Sequence, residues 1–350
     1  MFECKEIKIF DATLRDGSHA IKHQIELDFI HRYCSRIDEC GLDTVIVGHG
    51  NGLGASSIQI GLSKYGDNEM LQTARNALKK TKLGVYMIPG FGTIKDNLLP
   101  AINIGVDVFK IGAHCTEADI MKEHIEYLAS NNKEVYGVLM CSHMACDERL
   151  LEEAEKIYSY GACGVIFMDS AGALLPDDVF KIIDTVKKTL PFKAGFHAHN
   201  NLGLAIANTL SALKAGADII DGTLFGFGAG AGNCRLEIII AILQKFEILK
   251  NLSLYKIMDM ADEFIKGEMQ YTGSIDEISV ISGISGVFSA FKNKVYEAAL
   301  MYKIDPRDIF MELGRRKVVG GQEDMIIDAA LYLSQKNNLL SKDYMMESLL

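Results

Sequence analysis

The chain has 350 residues, 49% hydrophobic and 23% charged, enough for one large barrel or two ordinary domains with a substantial buried core. A formal net charge of −10 argues against a nucleic-acid partner, because binding the phosphate backbone needs clustered Lys and Arg. No run of about 18 uninterrupted apolar residues suggests a membrane span, and the opening "MFECKEIKIF" reads as a charged strand, not a leader, so a cytoplasmic protein without a membrane role is expected.

The eight cysteines, at 4, 34, 40, 115, 141, 146, 163 and 234, contain no C-x-x-C pair and sit mostly in apolar surroundings, which reads as buried free thiols. The short pairs Lys79-Lys80 and Lys187-Lys188 fall where helices would end and read as solvated surface.

Taken in chain order, strand-like runs occur at 7–13, 39–48, 83–89, 103–112, 134–141, 159–168, 193–199 and 214–223. Four of them share one grammar: "ECGLDTVIVG", "NIGVDVFKIG", "SYGACGVIFM" and "KAGADIIDGT" each place Gly after a helix-like segment and just before a β-rich run. A helix with a Gly C-cap feeding a parallel strand has this pattern. Most runs are almost continuously apolar, as strands covered on both faces require. Eight such units predict a closed (β/α)8 TIM barrel, with an open doubly wound sheet as the alternative. Beyond Leu236 the pattern turns to helices at 237–250, 255–268, 288–303, 306–314 and 322–336. The expected organisation is a catalytic barrel over 1–245 and a helical C-terminal extension over 246–350, packed on the barrel without a loose linker.

In such a barrel chemistry gathers at the C-terminal ends of strands. The first strand runs into "TLRDGSHA", with Arg15, Asp16 and His19; the seventh ends in "FHAHNN", where His197 and His199 point to the same side, about 6 to 7 Å between Cα atoms. Two imidazoles at that spacing suit one divalent ion, and a carboxylate would complete a 2-His-1-carboxylate face. Asp16 is the natural third ligand, with Asp169 and Asp221 as alternatives. The bland alternative is a pair of barrel-lining histidines bonded to neighbours. The Gly-rich run "GTLFGFGAGAGN" only loosely fits a dinucleotide fingerprint and more plausibly lets backbone approach substrate closely, with Asn233 beside the ion. His114, His143, Asp169 and Ser170 read equally well as structural or functional, and His23, His31, His49 and His124 carry no argument. Lys110 reads as core edge or surface.

These residues resemble the metal-dependent 4-hydroxy-2-oxovalerate aldolases, within a larger group of barrel lyases and condensing enzymes sharing a strand-1 RDG and a strand-7 H-x-H. The resemblance extends over nearly the whole chain, through "TLRDGSHAIKHQ", "GHGNGLGASS", "HCTEADIMKEHIEY", "DSAGA", "HAHNNLGLAIANT", "GAGAGN", "GVFSAF" and "GGQEDMIIDAA". It implies a cytoplasmic class II aldolase of the kind used in aromatic hydrocarbon catabolism, cleaving a 4-hydroxy-2-oxoacid to pyruvate and an aldehyde. By the resemblance, Asp16, His197 and His199 hold Mn²⁺, or Mg²⁺ or Co²⁺; His19 takes the C4 hydroxyl proton; Arg15 meets the enolate oxyanion; and Arg15, Ser170, His197 and Phe288 contact substrate. It further implies an acylating aldehyde dehydrogenase partner and homodimerisation, with Gly320 and Gly321 leaving a passage near the aldehyde exit.

Two features depart from the family. Phe288 stands where a Tyr is usual, which removes a hydroxyl and points to relaxed stereocontrol or a different 2-oxoacid. Tyr86, Met87 and Ile88 replace a leucine-rich lining, which bears on aldehyde length. Competing readings are an acetyl-CoA-dependent condensing enzyme, although the helical tail resembles no regulatory domain of that type, and a non-enzymatic scaffold for a dehydrogenase.

Overall fold

The computed structural model describes residues 7–347; Cys4 and the charged run before residue 7 lie outside them. Eight strands form in sequence order: β1 (Lys8–Asp11), β2 (Thr44–Ile46), β3 (Lys82–Met87), β4 (Val108–His114), β5 (Glu134–Met140), β6 (Gly164–Asp169), β7 (Lys193–Ala198) and β8 (Ile219–Gly222). Every neighbouring pair is parallel, and β1 pairs with both β2 and β8, so the sheet is a closed barrel and not an open one. Between and after them run α1 (Leu27–Ile37), α2 (Asp67–Ala77), α3 (Leu99–Ile104), α4 (Lys122–Ser130), α5 (Asp147–Ser159), α6 (Pro176–Thr189), α7 (Ala205–Lys214) and α8 (Leu236–Lys245).

The repeated glycines do what their spacing predicts. Gly41, Gly105, Gly161 and Gly216 have φ of 85°, 98°, 89° and 97°, a left-handed turn that lets the chain leave a helix and re-enter the barrel. Side chains alternate along the strands: Phe109 and Ile111 of β4 join the core between barrel and helices, while Val108 belongs to the small cluster inside the barrel with Phe10, Ile46, Tyr86, Tyr136 and Ile166. Glu134 closes the floor of the barrel, ion-paired with Lys8 and Lys82.

Two of the residue assignments made from sequence differ in the fold. Lys110 is neither at the core edge nor on the surface: it is fully buried inside the barrel, where its register opposite Tyr86 and Tyr136 puts it on the inward face. Met87 faces away from the barrel interior into the core beneath the helices, so it is not a lining residue as expected. Of the cysteines, 34, 40, 115, 141 and 234 are buried free thiols, whereas Cys146 and Cys163 are exposed.

Past α8 come α9 (Leu254–Met260), continued by a π-helical stretch Ala261–Glu268, then α10 (Glu277–Ser285), α11 (Lys292–Tyr302), α12 (Pro306–Arg315) and α13 (Met325–Glu347). The sequence reading has no helix at α10, whose Ser- and Gly-rich, β-branched run "EISVISGIS" carries little helical periodicity; its start is fixed by Asp276, which accepts a hydrogen bond from Ser279 N–H at 2.9 Å. From α10 onward a second core forms around Phe291, Val295, Phe310 and Leu313. Residues 254–268 do not join it. Ile257, Phe264 and Ile265 pack into the barrel's core, with Phe264 edge-on to Phe29 at 5.5 Å and to Tyr33 at 5.7 Å.

Removing that ring should therefore weaken the barrel itself. Phe264→Ala is expected to cost about 3–5 kcal/mol in denaturant unfolding, with hydrogen exchange accelerating in α1 and leaving α11 and α12 protected. Exchange accelerating only in α11 and α12 would put 254–268 with the second core instead.

Candidate metal centre and active site

After β1 the chain turns through Thr13 and enters a 3-10 turn, Asp16–Ile21, that carries Asp16 and His19. The turn is tied down from below. Buried Asp11 accepts hydrogen bonds from Thr13 N–H at 2.9 Å and Tyr33 Oη at 2.6 Å, and Thr13 Oγ1 accepts from Leu224 N–H at 2.8 Å, joining the β1 loop to the β8 loop across the barrel's closing seam. Gly17 is required next to Asp16, because a Cβ there would overlap the Phe227 ring.

Asp16 is 2% exposed, and three polar groups meet its carboxylate. Arg15 Nη1 lies 2.7 Å from Oδ2, Asn233 Nδ2 donates to Oδ1 at 2.9 Å, and His197 Nε2 stands 3.6 Å from Oδ2. Burial alone would push its carboxyl up; Arg15, His199 and His197 outweigh it and hold the group well below the usual carboxylate range. His197 Nδ1–H donates to Asp221 Oδ2 at 2.9 Å, which assigns the tautomer that leaves Nε2 unprotonated. Burial disfavours charge on Asp221 too, but Lys110 and His197 bring its carboxyl down to about 2.

The ligating atoms of Asp16, His197 and His199 all lie within 4.8 Å of one another. His197 Nε2 and His199 Nδ1 are buried nitrogens without a hydrogen-bond partner, a state that proteins in general avoid. One ionised carboxylate and two imidazoles whose ligand atoms lie this close, with an unpaired nitrogen on each ring, fit a divalent first-row ion. Of the alternatives weighed from sequence, Asp221 supports His197 from behind. Asp169, pushed up to about 6 by burial, spends its oxygens on Ala173 N–H at 2.9 Å and Leu174 N–H at 3.1 Å.

Arg15 is 3% exposed, lies 4.9 Å over the Tyr86 ring and donates through Nη1 to Gly50 O at 3.1 Å. Its Nε and Nη2 have no partner. Beside it a cavity of about 380 Å³ is lined by Arg15, Asp16, His199, His19, Tyr86, Ile88, His114, Ser170 and Phe288 and reaches Gly320 and Gly321. His197 stays behind this wall and does not line it. Ser170 Oγ accepts from Cys141 N–H at 3.0 Å, and His114 Nδ1 pairs with Thr116 Oγ1 at 2.9 Å. His143 is elsewhere, bonded to Gly286 O at 2.9 Å.

His19 sits between Gly50 and the edge of Phe288, 6.3 Å from that ring. Burial lowers its pKa, Asp16 partly opposes this and Arg15 adds to it, so the imidazole is neutral at pH 7. Sequence reasoning missed what stands behind it. His23 and His49 stack at 3.6 Å, with His23 5.0 Å from His19; burial drives them down to about 2 and about 4, so neither adds charge. His49 Nδ1 accepts from Asn51 N–H at 3.0 Å and Nε2 bonds Gly61 O at 3.1 Å, while His23 Nδ1 meets Ser18 Oγ at 3.0 Å. The spacing of His19 and His23 gave the only local hint. A second cavity of about 400 Å³ shares His19, Asn51 and Phe288 with the first and is rimmed by Lys22 and Lys294.

A family model described as HMGL-like matches residues 6–264, and one described as a DmpG-like communication domain matches 273–335. The chain is 46% identical over 332 residues to a 4-hydroxy-2-oxovalerate aldolase of Spirochaeta aurantia, covering 95% of this chain and 97% of that one. It is 46% identical over 333 residues to a protein of the same name from Pectobacterium atrosepticum, again covering 95% and 97%. Among solved structures, the carboxyl transferase domain of Rhizobium etli pyruvate carboxylase with pyruvate superposes with a TM-score of 0.79 at 16% identity, over 95% of this chain and 61% of that one, a likeness of fold.

Asp16→Ala is expected to weaken Mn²⁺ binding to the metal-stripped protein by more than ~100-fold in calorimetric titration, beyond the 10–100-fold typical of losing a supporting partner. His19→Ala should leave that affinity within about twofold. Unchanged affinity in Asp16→Ala would remove it from the ligand set.

Proposed function

The chain belongs to the 4-hydroxy-2-oxovalerate aldolases of the HMGL-like family, carbon–carbon lyases, and from that premise we propose that Arg15, Asp16, His19, His197 and His199 together cleave a 4-hydroxy-2-oxoacid to pyruvate and an aldehyde. The observation that carries this reading is a set of unpaired buried groups beside one cavity: His199 with an open nitrogen next to ionised Asp16 and the two free donors of Arg15 at its wall, and His197 with Nε2 open just behind it.

Asp16, His197 and His199 would hold the divalent ion, Mn²⁺ first with Mg²⁺ or Co²⁺ as alternatives, and when bound it supplies Lewis acidity to the 2-oxoacid. His19, neutral and at the cavity wall, removes the proton from the C4 hydroxyl. The C3–C4 bond breaks, the C4 carbonyl leaves as aldehyde, and the bonding pair becomes the enolate of pyruvate. Arg15 Nε and Nη2 are the donors left to face the enolate oxygen, in a setting dry enough for charge pairing to be strong. C3 then takes a proton to give pyruvate. Ser170 and Phe288 bound the substrate, while Tyr86 and Ile88 shape the space for the aldehyde.

The communication-domain match and the cavity's reach to Gly320 and Gly321 support an acylating aldehyde dehydrogenase as partner and receiver of the aldehyde. A homodimer is supported by the family resemblance. The domain division we propose assigns catalysis to the barrel and partner contact to the helices beyond it. Among the described residues no helix is long and apolar enough to cross a membrane, and a cytoplasmic setting suits the free thiols.

The metal-stripped protein should release pyruvate from racemic 4-hydroxy-2-oxopentanoate only when Mn²⁺ is restored; pyruvate at equal rate without metal would overturn the class. Because Phe288 offers no hydroxyl, both enantiomers should be consumed, and Phe288→Tyr should favour one by about tenfold, the worth of roughly one hydrogen bond.

The pH profile follows from His19. A lowered pKa keeps the base neutral over a wider range, so the acid limb of kcat/KM should fall below 6.5, the ordinary imidazole value, and not above it. His19→Ala should remove that limb and cost about 10²–10⁴ in kcat. A limb retained in His19→Ala would assign the base elsewhere.

A further inference from the structure

Lys110 is the least expected residue in the barrel. Its side chain and that of Asp221 are both 0% exposed, and they form an ion pair inside the barrel. It is absent from the residues lining the reaction cavity, and its ammonium is committed to Asp221, so it is not placed to form a Schiff base with a substrate carbonyl. An ammonium buried at this cost needs a reason beyond filling space, since an apolar side chain fills space more cheaply.

The reason lies one bond further on. Asp221 Oδ2, the oxygen that meets Lys110, also accepts the Nδ1–H of His197, its register neighbour across β7 and β8. Asp221 Oδ1 has no partner, so the orientation of this carboxylate is held through the single oxygen that both residues share. Lys110 comes from β4, across the barrel interior, and fixes from one side what His197 reads from the other. Without it the carboxylate is free to turn, His197 Nδ1–H loses its acceptor, and the imidazole can carry its proton on Nε2. An imidazole protonated there cannot ligate.

We infer that Lys110 is a positioning residue: through Asp221 it locks His197 in the tautomer whose Nε2 is open toward Asp16, and so sets metal affinity without touching metal or substrate. This rests on Asp16, His197 and His199 being the ion's ligands.

The test is Mn²⁺ titration of metal-stripped protein by calorimetry, together with long-range ¹H–¹⁵N spectra that report the His197 tautomer in the metal-free state. Lys110→Met should bind Mn²⁺ ~10–100-fold more weakly and show Nε2–H in addition to Nδ1–H. The double variant Lys110→Met with Asp221→Asn should recover most of that affinity, because an amide oxygen accepts from Nδ1–H without needing a counter-charge. A folded Lys110→Met with wild-type affinity and a pure Nδ1–H tautomer would overturn the proposal.

Where Lys110→Met fails to fold, the double variant is compared with Lys110→Met plus Asp221→Ala, which offers Nδ1–H no acceptor. Equal affinity in these two doubles would equally overturn it. Failure of the ligand assignment is a separate result: wild type and Asp16→Ala would then bind Mn²⁺ alike, while the tautomer spectra would still decide what Lys110 does.

Discussion

Asp16 must stay ionised while out of contact with water, and much of the surrounding architecture answers that demand. A buried carboxylate left alone would take up a proton instead of keeping its charge. Arg15 meets one oxygen and Asn233 the other. Asn233 can reach only because Gly228 has no side chain, since a Cβ there would overlap the Asn233 amide and approach Asp16 Oδ1 at 2.9 Å. The glycine-rich loop after β8 is thus shaped by one hydrogen bond to the loop after β1. That contact exists only because the barrel closes between those two strands.

Closure also explains why so much of the fold was legible in the sequence. The four Gly-capped repeats mark local turns, and local turns are set by local chemistry. Asp16, His197 and His199 stood out for the same reason: RDG and H-x-H are short, and once eight strands were counted the topology alone brought their ends together. Lys110 was misread because its environment is set by which face of β4 turns inward. The run "VFKIG" does not reveal this, as both faces of a barrel strand are apolar apart from the exception itself. His23 and His49 were out of reach for a related reason. Their stacking depends on His23 adopting φ 62° after the 3-10 turn and meeting a loop 26 positions later. No periodicity encodes that.

The histidine stack illustrates how an imidazole is kept neutral by more than apolar bulk. Behind His19, both ring nitrogens of His49 are engaged by backbone and Nδ1 of His23 by Ser18, and neither ring carries charge at neutral pH. They add polarisable surface without adding repulsion. A Lys or Arg at either position would push the His19 proton affinity down further and leave a weaker base.

The C-terminal helices are part of this site and not an appendage to it. Asn201, two residues beyond His199, is fully buried and spends its amide on Ser279 O at 3.1 Å and Ser282 Oγ at 3.2 Å, while Ser289 Oγ donates to its carbonyl oxygen at 3.0 Å. Ser282 in turn donates to Val287 O at 2.8 Å, and His143 pairs with Gly286 O at 2.9 Å. Phe288 sits between these fixed points and forms the wall that the two cavities share beside His19. The segment that carries His197 and His199 therefore also anchors the residue that walls both cavities. Phe288 meets the edge of His19 and lines both cavities, whereas Asp16 and His197 are tied through Arg15, Asn233 and Asp221, so the two sides of the site are held by different contacts.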